Sequence, residues 1–436
     1  MRILILTTYY PPDTAVAAVR PYMLAKYLTQ SGHNVTVLRS GEFYNSASDF
    51  FDMTIPVRVI SYLGENSPAE RYARGEQTEF PCPEGKRRLA KLPPWVGKLI
   101  MSVYDPIAFR RDQRNIQRKT KMLKEALDAL SHEHFDVVFS TFGQQENIAG
   151  GQYAAKLFGC KLIQDFRDAV AVAPLCTRSQ FRFLQKIQHD AIMQADGVTA
   201  VSEGLRAELM EGIAKPVPNM TLYNGFEPAA QDVAETAGEP GVFSLCYTGI
   251  LYGELRDFSP LLKALKHLAG ENRIDLSKVK LHYAGRDFGI LLELSRKLGM
   301  ESILVPHGYV SRAEAARIQC ASDVFLVLSW NLKDSQGILT GKFYEGIRAK
   351  KPILSLISGD LPGSELDFLN EKYHYGFCYE DCRGEEQFSR LCDYLEKVYN
   401  EKLRYGSVRY QVNPELEAAF RYDHLAQQLE DFIRKI

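Results

Sequence analysis

The chain has 436 residues, of which 45% are hydrophobic and 25% are charged, and its formal net charge at pH 7 is −1. This length suits two domains rather than one core, and the composition is that of a soluble globular protein. The near-neutral charge argues against a protein built to bind nucleic acid. The eight cysteines form no framework of spaced pairs, the N-terminus is too soon polar for a signal peptide, and no apolar run could span a membrane, so we predict a cytoplasmic location.

An alternation of strands and helices begins at the first residues. Residues 3–6 are all apolar, which is typical of a strand buried on both faces. Two prolines place residues 7–13 in a loop. Residues 19–28 repeat apolar positions at helical spacing, and residues 35–38 are predicted to form the next strand. Together these elements indicate a βαβ unit at the start of the chain.

The alternation returns near residue 136 and continues in two halves. In the first half we predict strands at 136–140, 161–164, 197–201 and 221–223, and helices at 147–158 and 179–195. Residues 228–240 are rich in Ala, Glu, Gly and Pro without periodicity and are predicted to be a linker. In the second half we predict strands at 243–247, 280–283, 303–306, 321–330 and 352–357, and helices at 259–268, 290–298, 312–319 and 342–349.

This order predicts an α/β fold of two doubly wound, Rossmann-like domains that face each other across a cleft. The predicted domains are residues 1–228 and 240–413. A last amphipathic helix at 414–436 is predicted to return to the first domain.

Residues 42–118 are the least interpretable part of the chain. Within residues 86–124 basic side chains far outnumber acidic ones, and apolar residues such as Trp95 and Leu99 lie between them. Such a surface can attract an anionic membrane face, which would make the protein peripheral at the cytoplasmic side of a membrane. The alternative is a solvated helix face with core residues beneath it.

The most informative stretch is residues 337–352, G-I-L-T-G-K-F-Y-E-G-I-R-A-K-K-P, between two predicted strands. Thr340 and Gly341 are good helix-start residues, and this helix would start at the carboxyl ends of the strands, where open α/β sheets bind ligands. Free N–H groups there favour a phosphate, and Lys342 adds a full charge. Glu345, one turn further on the same face, can accept hydrogen bonds from the hydroxyls of a sugar. The stretch therefore predicts a site for a diphosphate and a ribose; an ordinary solvated helix start is the alternative.

Several common motifs are absent from the sequence. The stretch is not a P-loop, because only three residues separate Gly337 from Gly341 and Phe343 follows the lysine. No G-x-G-x-x-G follows a strand, and neither H-E-x-x-H nor G-x-S-x-G occurs. No D-x-D occurs either, so we predict no metal ion and no other cofactor.

Taken together, the segments resemble the family 4 glycosyltransferases, retaining enzymes with the GT-B fold. The matching segments include M-R-I-L-I-L-T-T-Y-Y-P-P, S-G-H-N-V-T-V-L, D-F-R-D, A-D-G-V-T-A-V-S-E-G-L, L-Y-N-G-F, Y-T-G-I-L-Y-G, H-Y-A-G-R, H-G-Y-V, A-S-D-V-F-L-V-L-S and G-K-F-Y-E-G-I-R-A-K-K-P-I-L. They cover nearly the whole chain except residues 42–118. The resemblance implies transfer of a hexose from a nucleotide sugar, held by the second domain, to a glycan or lipid-linked acceptor held by the first, in the synthesis of a surface polysaccharide.

The resemblance also implies roles for individual residues. Glu345 would hold the ribose, and Arg256 and Lys342 would be the catalytic cations that neutralise the leaving diphosphate. The amides of Thr340 and Gly341 would supply further hydrogen-bond donors. No protein nucleophile is needed if the leaving phosphate takes the acceptor's proton, which is the front-face route proposed for the family.

Other candidates come from matched segments at strand ends. The further substrate-binding candidates are Gly249, Arg286 and Leu339. Asp165 and Asp168 follow a strand and are candidates for holding the acceptor or the donor sugar. The alternative is an ion pair between Asp and Arg167 that fixes their loop.

Departures from the family pattern affect these expectations. Gly337 stands where the first Glu of the E-x(7)-E motif is expected, and that Glu usually meets the donor sugar. Residues 15–18, A-V-A-A, replace a Gly-Gly pair, so the backbone there approaches a ligand less easily. The loop around Arg256 also differs from the common G-R-x(4)-K-G pattern. Two alternatives therefore stay open: a GT-B sugar-nucleotide epimerase, and a degenerate transferase that serves as a non-catalytic scaffold.

Overall fold

Two parallel β-sheets organise the chain, and we refer to the unit around each as the first and the second domain. The structure is a computed structural model that describes residues 1–13, 15–41, 51–52, 54–63, 94–171, 177–227, 238–251, 255–333 and 335–436, with the backbone alone at 94–108. The predicted domain limits at 228 and 240 stay predictions, since residues 228–237 lie outside these ranges. The basic residues at 86–91 lie outside them too.

Within the described ranges the first sheet has seven strands and the second has six. The first contains β1 (Arg2–Thr7), β2 (Asn34–Arg39), β3 (Arg58–Ser61), β4 (Val137–Phe142), β5 (Lys161–Phe166), β6 (Gly197–Ala200) and β7 (Asn219–Thr221). The second contains β8 (Phe243–Thr248), β9 (Val279–Ala284), β10 (Leu304–Gly308), β11 (Val324–Trp330), β12 (Ile353–Ser358) and β13 (Gly376–Glu380).

The helices connect these strands. They are α1 (Val16–Gln30), α2 (Pro94–Asp128), α3 (Gln145–Phe158), α4 (Arg178–Met193), α5 (Glu203–Met210), α6 (Ser259–Gly270), α7 (Phe288–Leu298), α8 (Arg312–Ala321), α9 (Gly341–Arg348), α10 (Glu365–Tyr373), α11 (Gly384–Tyr405), α12 (Pro414–Phe420) and α13 (Tyr422–Lys435). Short 3-10 turns occur at Leu276–Lys278, Glu301–Ile303 and Asp381–Arg383. Where the structure describes the chain, no helix combines the length and the apolar content needed to cross a bilayer.

The strand order identifies where each sheet can bind a ligand. The orders are β3-β2-β1-β4-β5-β6-β7 and β10-β9-β8-β11-β12-β13, and the paired strands run parallel. The order reverses between β1 and β4 in the first sheet and between β8 and β11 in the second. At such a switch point the loops diverge to opposite faces and leave a crevice at the carboxyl ends of the strands. The predicted class of two doubly wound α/β domains is confirmed.

Helices cover both faces of each sheet, which is why the strands are apolar throughout. On β1, Leu4 and Leu6 pack with α2 and α3 on one face, whereas Ile3 and Ile5 pack with α1 and α13 on the other. The second sheet is covered in the same way, by α6, α7 and α11 on one face and by α9, α10 and α12 on the other. Both cores hold the strand ends in place at the two switch points.

The C-terminal segment differs from the single helix predicted at 414–436. The helix breaks at Arg421, where ψ is 133°. Phe226, which follows β7, hydrogen-bonds the residues on either side of this break. Its N–H donates to Phe420 O at 3.0 Å, and its carbonyl accepts from Tyr422 N–H at 3.2 Å. The break lets α12 pack against α9 of the second domain through Phe420 and Phe343, while α13 packs against α1 of the first.

The segments that follow the strands at the carboxyl ends of the two sheets are in direct contact. A Cβ added to Gly204, after β6, would lie 2.6 Å from the Cα of Gly337, after β11. The carboxylate of Glu365, in the second domain, accepts hydrogen bonds at 3.0 Å from the N–H groups of Glu203 and Gly204. It also accepts one from the hydroxyl of Tyr223 at 2.7 Å. These contacts fix how the two switch points face each other.

Candidate functional site

The loop after β11 leads into α9 at the switch point of the second sheet. Helix α9 begins at Gly341 with Thr340 as its N-cap, as the sequence predicts, but the Thr340 side chain makes no capping hydrogen bond. The Thr340 hydroxyl is buried, and among the described residues it has no hydrogen-bond partner. Unpaired N–H groups in the first turn of a helix and a buried, unpaired hydroxyl favour binding of an anion.

Lys342 and Glu345 lie one turn apart on the same face of α9. The Nζ of Lys342 lies 2.8 Å from both carboxylate oxygens of Glu345. The two side chains are 25% and 31% exposed. Each is therefore the other's counter-ion at the crevice, rather than a freely solvated side chain.

Two buried polar residues also contact the carboxylate of Glu345. The Nε2 of Gln319, at the end of α8, donates to Glu345 Oε2 at 2.7 Å and to Thr248 Oγ1 at 2.8 Å. Thr248 ends β8, and its hydroxyl lies 3.5 Å from the same carboxylate oxygen. Sequence reasoning misses both residues. The sequence offers one signal for Gln319. It lies next to Ile318 and four residues after Ala315, and this helical spacing places it on the inward face of α8.

Arg256 and Gly249 lie in the loop that follows β8. The Nη1 of Arg256 donates to Ile250 O at 2.6 Å and to the hydroxyl of Tyr247 at 3.3 Å. A Cβ added to Gly249 would lie 3.1 Å from Cε of Lys342, so this glycine allows the lysine stem to pass the backbone closely. The structure thus brings Arg256, Gly249 and Lys342 together around the end of β8.

Arg286 and Leu339 are placed differently. The guanidinium of Arg286, after β9, lies 4.7 Å from the ring centre of Tyr309, which is 78% exposed. The side chain of Leu339 packs against the apolar cluster that contains Phe343. Arg286 therefore reaches the crevice edge beside an exposed aromatic ring, whereas Leu339 contributes its backbone to the loop and its side chain to the core.

Asp165 is fully buried in β5 and serves as the partner of Arg20. Arg20 Nε and Nη2 donate to its two carboxylate oxygens at 3.0 and 2.7 Å. The hydroxyls of Thr141 and Thr199 donate to the same two oxygens at 2.8 and 2.7 Å. Both oxygens of this carboxylate are hydrogen-bonded in the interior, so Asp165 acts as a structural partner of Arg20 rather than as the predicted catalytic residue. An Asp–Arg pair is present, but its arginine is Arg20 rather than Arg167.

Asp168 stands apart from this pair. It keeps an exposed surface at the carboxyl end of β5. Desolvation raises the pKa of its carboxyl, and the charge of Arg167 opposes that rise. Arg167 itself donates from Nη1 to Ala17 O at 2.8 Å, in the first turn of α1. Of the two predicted aspartates, Asp168 is the one that can reach a ligand.

The tight contact at Gly337 explains the departure from the E-x(7)-E pattern. Gly337 has a φ of +66°, a region that side chains rarely adopt. A Cβ there would lie 2.8 Å from Ser202 Oγ and 2.9 Å from the Cα of Gly204. A glutamate cannot occupy this position without separating the two domains locally. Within the described ranges, no group of three or more His, Cys, Asp or Glu side chains is placed to hold a metal ion.

Comparison with solved structures adds to this geometry. Anabaena Alr3699/HepE in complex with UDP and glucose is 14% identical, with a TM-score of 0.58 over 100% of each chain. The lipopolysaccharide outer core galactosyltransferase WaaB is 13% identical, with a TM-score of 0.58 over 100% of this chain and 99% of that one. A putative UDP-N-acetylglucosamine 2-epimerase from Listeria monocytogenes is 11% identical, with a TM-score of 0.53 over 99% and 96% of the two chains.

In each case the likeness covers nearly the whole of both chains. The chain has the GT-B fold. At these identities the likeness shows the GT-B fold alone, and both transferases and an epimerase are among the similar structures. No family model matches the chain, and no curated protein matches it in sequence.

Proposed function

We propose that the protein is a retaining glycosyltransferase that moves a hexose from a nucleotide sugar to a hydroxyl of a glycan or lipid-linked acceptor. The observation that carries the proposal is the cluster at the switch point of the second sheet. There a cation, a carboxylate and a helix start lie side by side, with Lys342 Nζ 2.8 Å from Glu345. This combination suits a ribose diphosphate. Its phosphates need positive charge, and its ribose hydroxyls need a hydrogen-bond acceptor.

In the proposed donor complex, the diphosphate sits between the start of α9 and the loop after β8. Lys342 exchanges one oxygen of Glu345 for a phosphate oxygen, and Arg256 turns from Ile250 O toward the same charge. Glu345 then accepts hydrogen bonds from the ribose hydroxyls. Arg286 and Tyr309, beyond the carboxyl ends of β9 and β10, are suited to contact the nucleobase, because an aromatic ring with a guanidinium on its face is a stacking surface.

The proposed reaction takes place on one face of the sugar. The bond between C1 and the phosphate oxygen breaks, the diphosphate leaves with the electron pair, and the acceptor oxygen bonds to C1 on the same face. The leaving phosphate oxygen takes the acceptor's proton. Lys342, Arg256 and the amides of Thr340 and Gly341 stabilise the charge that grows on the diphosphate, which is where such groups lower a barrier most. Asp168 is the candidate for orienting the acceptor hydroxyl.

A panel of nucleotide sugars tests the proposal and separates it from its alternatives. We would incubate UDP-, GDP-, ADP- and TDP-hexoses with the protein and follow release of the nucleoside diphosphate with and without glycan acceptors. A transferase releases it slowly by hydrolysis and faster with an acceptor. An epimerase changes the sugar without an acceptor, and a scaffold does neither. Either of the last two results would overturn the proposal.

The proposed transfer needs no metal ion, because two cations and a helix start are available to the diphosphate and the sequence has no D-x-D motif. We expect full activity in the presence of EDTA and no stimulation by added magnesium or manganese. The measurement is the initial rate with the preferred donor, with a metal-dependent glycosyltransferase assayed in parallel as the control. Activity lost in EDTA and restored by either ion would contradict metal independence.

Glu345→Gln is expected to weaken binding of the nucleoside diphosphate by about 1.5–3 kcal/mol, because the ribose loses a charged hydrogen-bond acceptor. Binding of inorganic pyrophosphate should not weaken, since Lys342 loses a competing carboxylate. Calorimetry with both probes checks this, and Glu371→Gln, an exposed glutamate on α10, is the matched control. Unchanged nucleotide affinity in Glu345→Gln would remove this residue from the site.

We also propose that the first domain meets its acceptor at the cytoplasmic membrane face. Helix α2 continues N-terminally for roughly 20 Å beyond Phe109, at about 1.5 Å per residue, and Phe109 contacts Phe183 of α4 with ring centres 5.9 Å apart. In the sequence this extension comes shortly after the basic residues at 86–91. A basic segment followed by a helix with Trp95 and Leu99 suits shallow insertion at an anionic surface.

Changing Lys86, Arg87, Arg88 and Lys91 together to Glu is expected to reduce binding to anionic vesicles by roughly tenfold or more. Binding of the wild type should weaken with salt and be low on neutral vesicles, because exposed charges are screened. Sedimentation measures both. The control variant makes the same charge change in the second domain, at Lys263, Lys266, Lys278 and Lys297. Equal binding of all three proteins would point to a soluble acceptor.

A further inference from the structure

We propose that Gln319 is a positioning residue that keeps Glu345 in place for the ribose while Lys342 moves to the diphosphate. The inference rests on the proposed function and deepens it by naming what makes the site select a ribonucleotide. Gln319 is 1% exposed and connects three elements of the switch point. It belongs to α8, and its amide donates hydrogen bonds to Thr248 of β8 and to Glu345 of α9.

The need for such a residue follows from the ion pair at the site. Lys342 contacts both oxygens of Glu345 at 2.8 Å. When a diphosphate draws the ammonium group away, the carboxylate loses its strongest partner. It could then follow Lys342 toward the phosphates, where like charges repel, or turn into solvent. In either case it would leave the place where ribose hydroxyls need an acceptor.

Gln319 prevents this because its amide is neutral and buried. A diphosphate does not attract it, and water cannot easily replace it. Its Nε2 has two hydrogens, and both are used, one for Glu345 Oε2 at 2.7 Å and one for Thr248 Oγ1 at 2.8 Å. The Thr248 hydroxyl, 3.5 Å from Oε2, completes the support. The oxygen Oε2 therefore stays held while Oε1, which Lys342 contacts at 2.8 Å, becomes free for the ribose.

The other end of the same amide supports a functional role. Gln319 Oε1 is buried, and among the described residues it has no hydrogen-bond partner. A buried, unpaired amide oxygen lowers stability, and an apolar side chain would avoid that cost. Local features that lower stability are expected where a site requires them. Here the requirement is a donor pointed at Glu345.

The test compares Gln319→Leu with the wild type in calorimetric titrations of UDP, GDP and ADP. For the ribonucleotide that binds best, we then titrate its 2′-deoxy and 3′-deoxy forms and inorganic pyrophosphate. We expect Gln319→Leu to weaken binding of the ribonucleotide about tenfold, which is the size of one lost charged hydrogen bond. Binding of the deoxy forms should weaken less, so that the ratio of their dissociation constants to that of the ribonucleotide becomes smaller. Pyrophosphate should bind as before, because it meets Lys342 and not the ribose position.

Three further variants exclude a merely structural effect. Gln387→Leu removes another buried Gln of the same domain, whose Nε2 donates to Cys378 O at 2.8 Å away from the site, and it should leave every affinity unchanged. In the Glu345→Gln background, Gln319→Leu should add little further loss, because both changes disable the same contact. Gln319→Asn, with a shorter reach to Glu345, should not restore discrimination.

The outcomes separate this inference from the proposed function. If the wild type binds a nucleoside diphosphate and Gln319→Leu keeps full discrimination against the deoxy forms, the inference is overturned and the function stands. A parallel loss for pyrophosphate would also overturn it, since that would mean a general disturbance of α9. If the wild type binds none of the three ribonucleoside diphosphates, this inference falls, whereas the proposed function falls only if the nucleotide-sugar panel, which includes the TDP-hexoses, also shows no release of a nucleoside diphosphate.

Discussion

Replacing Lys342 with Ala is expected to raise the barrier for turnover of the preferred donor by about 2–4 kcal/mol, which is roughly a 30- to 1000-fold loss in kcat/KM. The loss has two parts. The diphosphate loses a charge-assisted contact that strengthens as it leaves. Glu345, which Lys342 contacts at 2.8 Å, loses this counter-ion and repels the incoming phosphates.

The two parts can be separated by a second substitution. Lys342→Ala with Glu345→Gln removes the repulsion, so the diphosphate should bind better to the double variant than to Lys342→Ala, although kcat stays low. Lys333→Ala, an exposed lysine on the same loop, controls for the change in net charge and should keep full activity. Turnover by Lys342→Ala within about threefold of the wild type would show that this residue does not act on the leaving group.

Asp165→Asn is expected to destabilise the first domain by about 3–5 kcal/mol, because it leaves the buried charge of Arg20 without its counter-charge. Arg20 is 1% exposed and Asp165 is 0% exposed. Arg20 also donates to Tyr223 O at 2.8 Å, where the chain leaves β7 for the second domain. The loss should appear as lower amide hydrogen-exchange protection in β4, β5 and β6 during native-state titration with urea.

Two comparisons make this result decisive. Lys186→Ala breaks the exposed pair with Asp190 and should cost at most about 1 kcal/mol. Arg20→Met combined with Asp165→Leu should cost less than Asp165→Asn alone, since no buried charge remains. If Asp165→Asn instead kept full stability and lost activity, Asp165 would be a ligand contact after all, as the sequence alone allowed.

The helix start at which we propose the donor site was predictable because local signals and topology agree there. Thr340 and Gly341 start a helix, that helix follows a buried strand, and the lysine and glutamate three residues apart share a face. A parallel α/β sheet then places the helix start at its carboxyl edge. Residues 42–118 lacked such agreement. β3 was not predicted there, and a helix in the region of α2 was given only as an alternative without bounds, since no clear period or capping pattern marks the ends of either element.

The details of the site depend on contacts between residues far apart in the chain, and no local pattern records them. Gln319 donates a hydrogen bond to Glu345, and Arg20 binds Asp165, 145 positions later in the chain. Gly204 and Gly337 are in close contact between the domains. In sequence, Asp165 and Asp168 look equivalent, yet only folding buries one and leaves the other exposed. The sequence by itself determined the two α/β halves and the helix start that suits a phosphate, because hydrophobic periodicity and helix-start preferences are local. The tertiary structure alone decided which charges are paired, buried or free to meet a ligand, because burial and counter-charges are set by the residues that folding brings together.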